Sequence, residues 1–323
     1  MNQKKPIVHL TRKLPESTET RMRELFDARL NETDRPLSGQ ELHAIVKEAD
    51  VLVPTVTDRI DADLIAAAGD QLKLIASFGT GVDHIDLAAA KARGITVTNT
   101  PGVLTEDTAH VALALMLAVP RRIAEGDKVA RSGGWTGWAP TGMLGHRING
   151  KRLGIIGMGR IGKAVAQSAH FGFGMNVVFQ NRSPIADGGG VNGRQLGSVA
   201  EVCAASDFVS LHCAATPETR HILGAEAIAA MSPDAYVINT ARGDVVDEAA
   251  LVAALESGAI AGAGLDVFQG EPAVNPAIIA APNTVLLPHL GSATQETRLA
   301  MGMKVVENAR AFAAGAPLPD NVG

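Results

Sequence analysis

The sequence predicts an α/β protein made of two domains, each built on a doubly wound parallel sheet. Its length of 323 residues exceeds what one hydrophobic core usually serves. Short apolar segments alternate with alanine-rich helical stretches along most of the chain. Near the middle, residues 157–162 carry the spacing G-x-G-x-x-G directly after an apolar strand, a pattern typical of a dinucleotide-binding unit.

In the first hundred residues, predicted strands alternate with predicted helices, which favours a parallel sheet. The strands are expected at 7–10, 51–53, 72–76 and 95–98, and the helices around 22–30, 63–69 and 87–93. A longer helical pattern follows at 106–122. We place the first domain boundary before it, after Pro101.

The same alternation resumes at the glycine motif. Strands are expected at 153–156, 176–179, 208–211, 236–238, 263–265 and 285–287, which gives the six strands of a dinucleotide-binding sheet. The last helix, at about 294–314, has no place left in that sheet, so we expect it to pack on the first domain. The domains are therefore predicted as 1–101 with 292–323, and 102–291, the second being inserted into the first.

The composition favours an enzyme with a small-molecule substrate. Hydrophobic residues make up 46% of the chain and charged residues 20%, which suffices for a large core, and the net charge is −5. A negative net charge provides no electrostatic footprint for nucleic acid or for an anionic membrane. We expect neither of these as a partner.

Cysteine usage and the absence of targeting patterns favour a cytoplasmic protein. Cys203 and Cys213 lie ten residues apart and match no metal or redox spacing, which fits a reducing compartment. The 9 histidines include no H-E-x-x-H pattern, so no metal site is expected. The longest apolar run, 111–119, ends at a proline and two arginines, and the N-terminus leads into a short strand. We therefore expect neither a signal peptide nor a membrane span.

Each glycine of the central motif has its own predicted role. Gly157 makes a tight turn, Gly159 lets the backbone approach a pyrophosphate, and Gly162 lets the helix pack closely on its strand. The pyrophosphate would then lie at the N-terminus of the following helix, where unpaired N–H groups and the helix dipole favour an anion.

The end of the next strand bears on the choice of cofactor. NAD-binding units usually carry Asp or Glu there, about 20 residues after the motif, to hold the ribose 2′-hydroxyl. Here Asn181, Arg182 and Ser183 stand instead. A carboxylate would repel a 2′-phosphate, whereas an arginine binds it with charge-assisted hydrogen bonds. The sequence therefore predicts that NADPH is preferred, with NAD as a possible second cofactor.

Three later segments place polar residues just past strand ends, at the sheet edge where ligands bind in open α/β folds. They contribute Arg242, Glu271 and His289. Each alone could be an ordinary surface ion-pair partner, loop carboxylate or capping residue. Together they could reduce a 2-oxo acid, because a guanidinium can hold its oxygens, an imidazolium can protonate the carbonyl oxygen, and a carboxylate keeps the imidazole charged and oriented.

In the first domain, a glycine turn follows a strand and includes Phe78, Gly79, Thr80 and Gly81. Backbone N–H groups in such a turn can form a nest for a substrate carboxylate, although an ordinary turn has the same composition.

Five ordered motifs resemble the D-isomer-specific 2-hydroxyacid dehydrogenase family over nearly the whole chain. They are Gly79 to Asp83, Gly157 to Gly162, Thr240 to Gly243, Leu265 to Pro272 and Pro288 to Ser292. The resemblance implies a Rossmann cofactor domain inserted into a flavodoxin-like substrate domain, and a homodimer formed through the cofactor domain.

The same resemblance implies roles for individual residues. Arg242 would bind substrate, His289 would be the acid/base with Glu271 as its partner, and Asp266 would lie at the nicotinamide end. The residues expected near the cofactor besides the glycines and residues 181–183 are Thr80, Arg160, Ile161, Cys213, Thr240, Ala241, Arg242, Asp266, His289 and Gly291.

Within the family, the loop at 135–145 resembles that of glyoxylate and hydroxypyruvate reductases. Its Trp138 is expected either as a core plug or as an interface anchor, and the resemblance favours a dimer in which it narrows the neighbour's substrate pocket. The predicted activity is NADPH-linked reduction of glyoxylate or hydroxypyruvate to the D-2-hydroxy acid. The alternatives are a phosphoglycerate dehydrogenase, a formate dehydrogenase and a nucleotide-sensing protein like the family's corepressors. Glu271 argues against a formate dehydrogenase, because that enzyme has glutamine at this position.

Overall fold

The computed structural model describes residues 5–322. The chain forms two compact units: one contains the residues up to Leu104 together with those from Ala293 onward, and the other is Thr105–Ser292. The divisions expected from the sequence were after residues 101 and 291. Below, the two are called the first unit and the second unit, and elements are numbered in chain order.

The first unit has a five-stranded parallel sheet in the order β2-β1-β3-β4-β5, which is the flavodoxin-like order. Its strands are β1 (Ile7–Leu10), β2 (Asp27–Arg29), β3 (Val51–Val53), β4 (Leu74–Ala76) and β5 (Thr96–Thr98). Its helices are α1 (Glu16–Leu25), α2 (Gly39–Ile45), α3 (Ala62–Ala66), α4 (Leu87–Ala92) and α12 (Gln295–Ala313). Alternate strand residues fill cores on opposite faces, as the pleat requires: Val51 and Val53 pack with α12, and Leu52 with α3.

The second unit has a seven-stranded parallel sheet in the order β12-β11-β10-β9-β6-β7-β8. The first six strands in chain order have the Rossmann arrangement 3-2-1-4-5-6, and the seventh extends the sheet. The strands are β6 (Arg152–Ile156), β7 (Asn176–Gln180), β8 (Arg194–Gln195), β9 (Phe208–Leu211), β10 (Tyr236–Asn239), β11 (Gly262–Leu265) and β12 (Thr284–Leu286). The α-helices are α5 (Thr105–Ala118), α6 (Ile123–Arg131), α7 (Arg160–Phe173), α8 (Val199–Ala204), α9 (Ala225–Ala229), α10 (Glu248–Ser257) and α11 (Pro276–Ala280).

These two sheets confirm the predicted fold class, a Rossmann sheet inserted into a chain that also forms a flavodoxin-like sheet. None of the helices formed by residues 5–322 is long and apolar enough to cross a membrane.

Three local predictions were wrong. The helix expected over 22–30 ends at Leu25, because Phe26 is extended (φ −129°, ψ 170°) and leads into β2. The apolar Phe26 is buried, and a buried apolar residue fits a helical pattern as well as a strand pattern. The helix expected over 106–122 ends at Ala118, and a turn follows in which Arg122 takes a left-handed conformation (φ 53°) before a separate helix, α6, begins at Ile123. The second sheet has seven strands rather than six, since the two polar residues of β8 are too few to show strand periodicity.

Candidate active site

The glycine motif lies at the carboxyl edge of the Rossmann sheet, where the strand order reverses between β6 and β9. Gly157 follows β6 with φ +93°, and a Cβ there would lie 2.6 Å from the backbone N of Cys213, which follows β9. Both the backbone conformation and the lack of space therefore disfavour a side chain at this position. Cys213 is half-buried, and burial raises the pKa of its thiol to about 11. The thiol therefore stays protonated at neutral pH and is a poor nucleophile.

The other two glycines differ in their surroundings. A Cβ on Gly159 would meet no atom within 4 Å, whereas one on Gly162 would lie 2.3 Å from the carbonyl oxygen of Gly157. Helix α7 begins at Arg160, directly after this open position. Arg160 is exposed and Ile161 is half-buried. A helix N-terminus with open space beside it is an arrangement that favours an anion such as a pyrophosphate.

Residues 181–183 follow β7 on the other side of the crevice. The Asn181 side chain is engaged within the protein: its Oδ1 accepts the Met158 N–H (3.2 Å) and its Nδ2 donates to the Ser183 carbonyl (2.9 Å). Arg182 and Ser183 are exposed, and Arg182 has no hydrogen bond or ion pair within residues 5–322. The amide of Asn181 therefore shapes the loop, and the guanidinium of Arg182 is accessible.

His289 and Glu271 form a close pair past the ends of β12 and β11. The imidazole Nδ1–H donates to Glu271 Oε2 at 2.8 Å, and the other carboxylate oxygen accepts the Phe268 N–H at 2.8 Å. Burial acts to raise the pKa of the Glu271 carboxyl, but these hydrogen bonds outweigh it and hold the pKa below its usual range. Glu271 is thus ionised at neutral pH, and Nε2 of His289 is the ring nitrogen left to exchange a proton.

Asp266 fixes the turn that carries His289. Its carboxylate accepts the N–H groups of Leu290 (2.6 Å) and Gly291 (2.8 Å), and its carbonyl accepts the N–H of His289 (2.9 Å). His289 itself is left-handed, with φ 56°, an uncommon conformation for a residue other than glycine. Asp266 is fully buried, and burial raises the pKa of its carboxyl. Its side chain therefore holds in place the backbone turn that carries His289.

Arg242 follows β10 in a turn built by Asn239. The Asn239 side chain accepts the Ala241 N–H (2.9 Å) and donates to the Arg242 carbonyl (2.8 Å). The charge of Arg242 also helps to lower the pKa of Glu271, so the two groups lie within electrostatic reach. The hydroxyl of Thr240 is buried and has no hydrogen-bond partner among residues 5–322.

Gly243 is where the Arg242 and Glu271 segments touch. A Cβ on Gly243 would lie 2.0 Å from the carbonyl carbon of Phe268 and 2.2 Å from the N of Gln269. Glycine is therefore required for this approach of the two backbones.

Glu248 is a site residue that the sequence analysis missed. This buried carboxylate on α10 accepts the Gln269 N–H (2.8 Å) and the Asn275 side-chain amide (3.2 Å). It therefore holds the loop that carries Glu271. Nothing in the local sequence distinguishes it from an ordinary acidic residue in the first turn of a helix.

The glycine turn of the first unit follows β4. Thr80 Oγ1 donates to the Thr100 carbonyl (2.9 Å), and Asn99 Nδ2 donates to the Thr80 carbonyl (2.7 Å). Within residues 5–322, the N–H groups of Gly79, Thr80 and Gly81 have no hydrogen-bond acceptor. They are available to an anion, as a nest requires.

Phe78, at the start of this turn, is buried beneath a cation that the sequence analysis also missed. The guanidinium carbon of Arg298, on α12, lies 5.9 Å from the centroid of the Phe78 ring. Burial lowers the pKa of Arg298 from its ordinary value. The positive charge adds to the anion-attracting character of the turn.

Residues 123–145, called the apolar arm, carry several exposed apolar side chains: Ile123, Trp135, Trp138, Met143 and Leu144. Helix α6 has no buried residue, and Trp138 and Trp135 are 82% and 68% exposed. Trp138 is therefore not a plug of this chain's core, the first of the two expected alternatives. No group of three or more His, Cys, Asp or Glu side chains in the described chain is arranged to hold a metal ion.

The structure thus brings Arg242, Glu271, Asp266 and His289 together at the ends of β10, β11 and β12. The glycine motif and residues 181–183 lie farther along the same edge, past β6 and β7.

The sequence matches a known family. The family model described as "D-isomer specific 2-hydroxyacid dehydrogenase, NAD binding domain" matches residues 113–291. The chain is also 44% identical to a glyoxylate reductase of Thermococcus litoralis, over 98% of this chain and 96% of that protein. The chain belongs to the D-isomer-specific 2-hydroxyacid dehydrogenase family.

Solved structures of similar proteins agree with this assignment. The TT0316 protein of Thermus thermophilus is 45% identical with a TM-score of 0.90, over 98% of this chain and 100% of that one. An NADPH-dependent glyoxylate/hydroxypyruvate reductase of Sinorhizobium meliloti, solved with NADP and malonate, is 32% identical with a TM-score of 0.87, over 99% and 97% of the two chains.

Proposed function

We propose that this 2-hydroxyacid dehydrogenase reduces glyoxylate or hydroxypyruvate to the D-2-hydroxy acid, with NADPH as the preferred cofactor and NADH as a possible second one. The observation that carries the proposal is the 2.8 Å pair of His289 and an ionised Glu271 on the sheet edge that also carries the glycine motif. The Thermococcus and Sinorhizobium proteins, named for glyoxylate or hydroxypyruvate reduction, support the substrate class.

The second unit offers what a dinucleotide requires. Gly159 leaves open space at the N-terminus of α7 for a pyrophosphate, and the buried, unpartnered hydroxyl of Thr240 can bond a group placed in the crevice. The same crevice would also be lined by Arg160, Ile161, Cys213, Ala241 and Gly291. When bound, NADPH would supply the hydride.

The residues of this chain would handle the substrate's charge and proton. Nε2 of His289 would give a proton to the carbonyl oxygen, and Glu271 would stabilise the charged imidazole before that transfer. Arg242 would hold the substrate oxygens by paired hydrogen bonds. The N–H groups of residues 79–81 are proposed as a carboxylate-binding nest of the first unit, and in the second unit Asp266 would keep His289 in place.

The decisive test is a set of initial rates with NADPH and glyoxylate, hydroxypyruvate, pyruvate and larger 2-oxo acids. We expect the highest kcat/KM for one of the first two. Turnover restricted to 3-phosphohydroxypyruvate would favour a phosphoglycerate dehydrogenase. Cofactor binding without turnover of any 2-oxo acid would favour a nucleotide sensor.

Arg182 is proposed as the clamp for the 2′-phosphate. We expect kcat/KM for NADPH to exceed that for NADH at least tenfold, and Arg182→Ala to remove the difference mainly by raising KM for NADPH. The reason is the loss of charge-assisted hydrogen bonds worth about 1.5–3 kcal/mol, roughly 10- to 150-fold. Steady-state kinetics with both cofactors measures this.

Arg59→Ala is the matched control, because it removes one exposed positive charge from the first unit. A wild-type preference for NADH, or an Arg182→Ala variant that still prefers NADPH, would contradict the assignment.

We also propose that the apolar arm joins two chains in a homodimer in which Trp138 narrows the neighbour's substrate pocket. Indole rings are enriched at interfaces, and this one is 82% exposed. We expect a dimer in sedimentation velocity, and a KM for glyoxylate that rises several-fold in Trp138→Ala. Phe171→Ala, which removes a 74% exposed ring outside the arm, should leave both unchanged. A fully active monomer would refute the proposal.

A further inference from the structure

The loop that carries Arg182 is held by one side chain from the neighbouring edge strand. Gln195, on β8, accepts the Ile185 N–H through Oε1 at 3.0 Å. Its Nε2 donates to the carbonyl of Asn181 at 2.9 Å and to that of Ser183 at 3.3 Å. One amide group therefore bonds the backbone on both sides of Arg182.

The same loop is tied to the glycine motif. Asn181 Oδ1 accepts the N–H of Met158, which lies between the first two glycines. Gln195, Asn181 and Met158 thus form a chain of hydrogen bonds from the sheet edge to the turn at Gly157. This chain fixes the loop at both ends while Arg182 and Ser183 stay exposed at its centre.

A preformed loop matters for a 2′-phosphate more than for the rest of a dinucleotide. The pyrophosphate site depends on the N-terminus of α7, which Gln195 does not contact. The 2′-phosphate would depend on Arg182 and Ser183, whose backbone Gln195 holds. Because ordering a mobile loop on binding costs free energy, loss of the Gln195 hydrogen bonds weakens a ligand that needs Arg182 more than one that needs only the N-terminus of α7.

We propose that Gln195 is a positioning residue that sets the preference for a dinucleotide bearing a 2′-phosphate. This inference rests on the proposed NADPH preference and adds a residue on a separate strand to it. Gln195 acts through the backbone at Asn181, Ser183 and Ile185.

The test compares Gln195→Leu with the wild type. Leucine has a similar size and makes none of the three hydrogen bonds. By calorimetry, we expect the Kd of 2′,5′-ADP to rise about tenfold, the equivalent of roughly one charge-assisted hydrogen bond, with the Kd of 5′-AMP within twofold of wild type. In steady-state kinetics, we expect KM for NADPH to rise by about the same factor as the Kd of 2′,5′-ADP. The values of kcat and KM measured with NADH should stay constant.

Gln167→Leu is the matched control. Gln167 lies on α7 and its Nε2 donates to the carbonyl of Gly189 (3.4 Å), farther along the same β7–β8 connection and beyond the residues that Gln195 holds, so its loss should leave the ratio of the two Kd values unchanged. A wild type that binds 2′,5′-ADP no better than 5′-AMP overturns the NADPH proposal together with this one. If the wild type binds 2′,5′-ADP more tightly than 5′-AMP and Gln195→Leu keeps that difference, only the role of Gln195 is overturned. The same holds if Gln195→Leu weakens the binding of both ligands equally.

Discussion

His289→Asn is expected to lower kcat for glyoxylate by about 100- to 10,000-fold, the range for loss of a positioned general acid, while NADPH still binds. Asparagine is the informative replacement because it tolerates the left-handed backbone of residue 289 (φ 56°) and so removes the imidazole without adding strain. Stopped-flow or steady-state rates give kcat, and nucleotide fluorescence gives the Kd of NADPH.

The control for this variant is His110→Asn, since the imidazole of His110 is 65% exposed on α5 and its Nδ1 lies 3.8 Å from Asp107 of the same helix. Its kcat should equal that of the wild type. Near-normal turnover by His289→Asn would end the assignment of His289 as the proton donor.

Gly243→Ala is expected to lower kcat/KM at least about 100-fold and to reduce the melting temperature. The new Cβ would lie 2.0 Å from the carbonyl carbon of Phe268, a backbone atom that cannot rotate away. The two segments must separate, which moves Arg242 from Glu271, and a displacement of about 1 Å from productive geometry can cost about 100-fold in rate.

Gly172→Ala provides the comparison. Gly172 lies in α7, and a Cβ added to it would meet no atom within 4 Å, so alanine there should stabilise the protein by about 0.5–1 kcal/mol and leave kcat/KM unchanged. Calorimetry and initial rates of both variants test the pair. Wild-type kcat/KM in Gly243→Ala would show that the close approach of the two backbones does not set the geometry of the site.

The sheets could be predicted from the sequence because their strands are short buried runs bounded by turns. Residues such as Val51 and Val237 face packed helices and leave an unmistakable apolar pattern. The positions of Arg242, Glu271 and His289 could also be predicted, since each follows such a strand and parallel strands end at one edge. The missed strands β2 and β8 are short and partly polar, so they lack that pattern.

The supporting residues could not be predicted, because their roles depend on contacts between distant segments. Glu248 holds a loop 21 residues further along the chain, and Asp266 bonds N–H groups 24 and 25 residues away. No periodicity or spacing marks a side chain whose partners are backbone groups of another loop. The left-handed conformation of His289 is likewise a product of the turn that Asp266 fixes.

The return of α12 to the first unit affects the order in which the protein can be completed during synthesis. Residues Thr105–Ser292 are contiguous and precede α12, so every strand of the Rossmann sheet leaves the ribosome before α12 does. The flavodoxin-like sheet has its first 104 residues much earlier, but its core includes Met301 and Val305 of α12. Val8, Met22 and Val53 share that core, so they lack the packing partners that α12 supplies until α12 has been synthesised. The core of the first unit is therefore begun before the Rossmann sheet is synthesised and completed after it, and its apolar side chains are exposed in the interval.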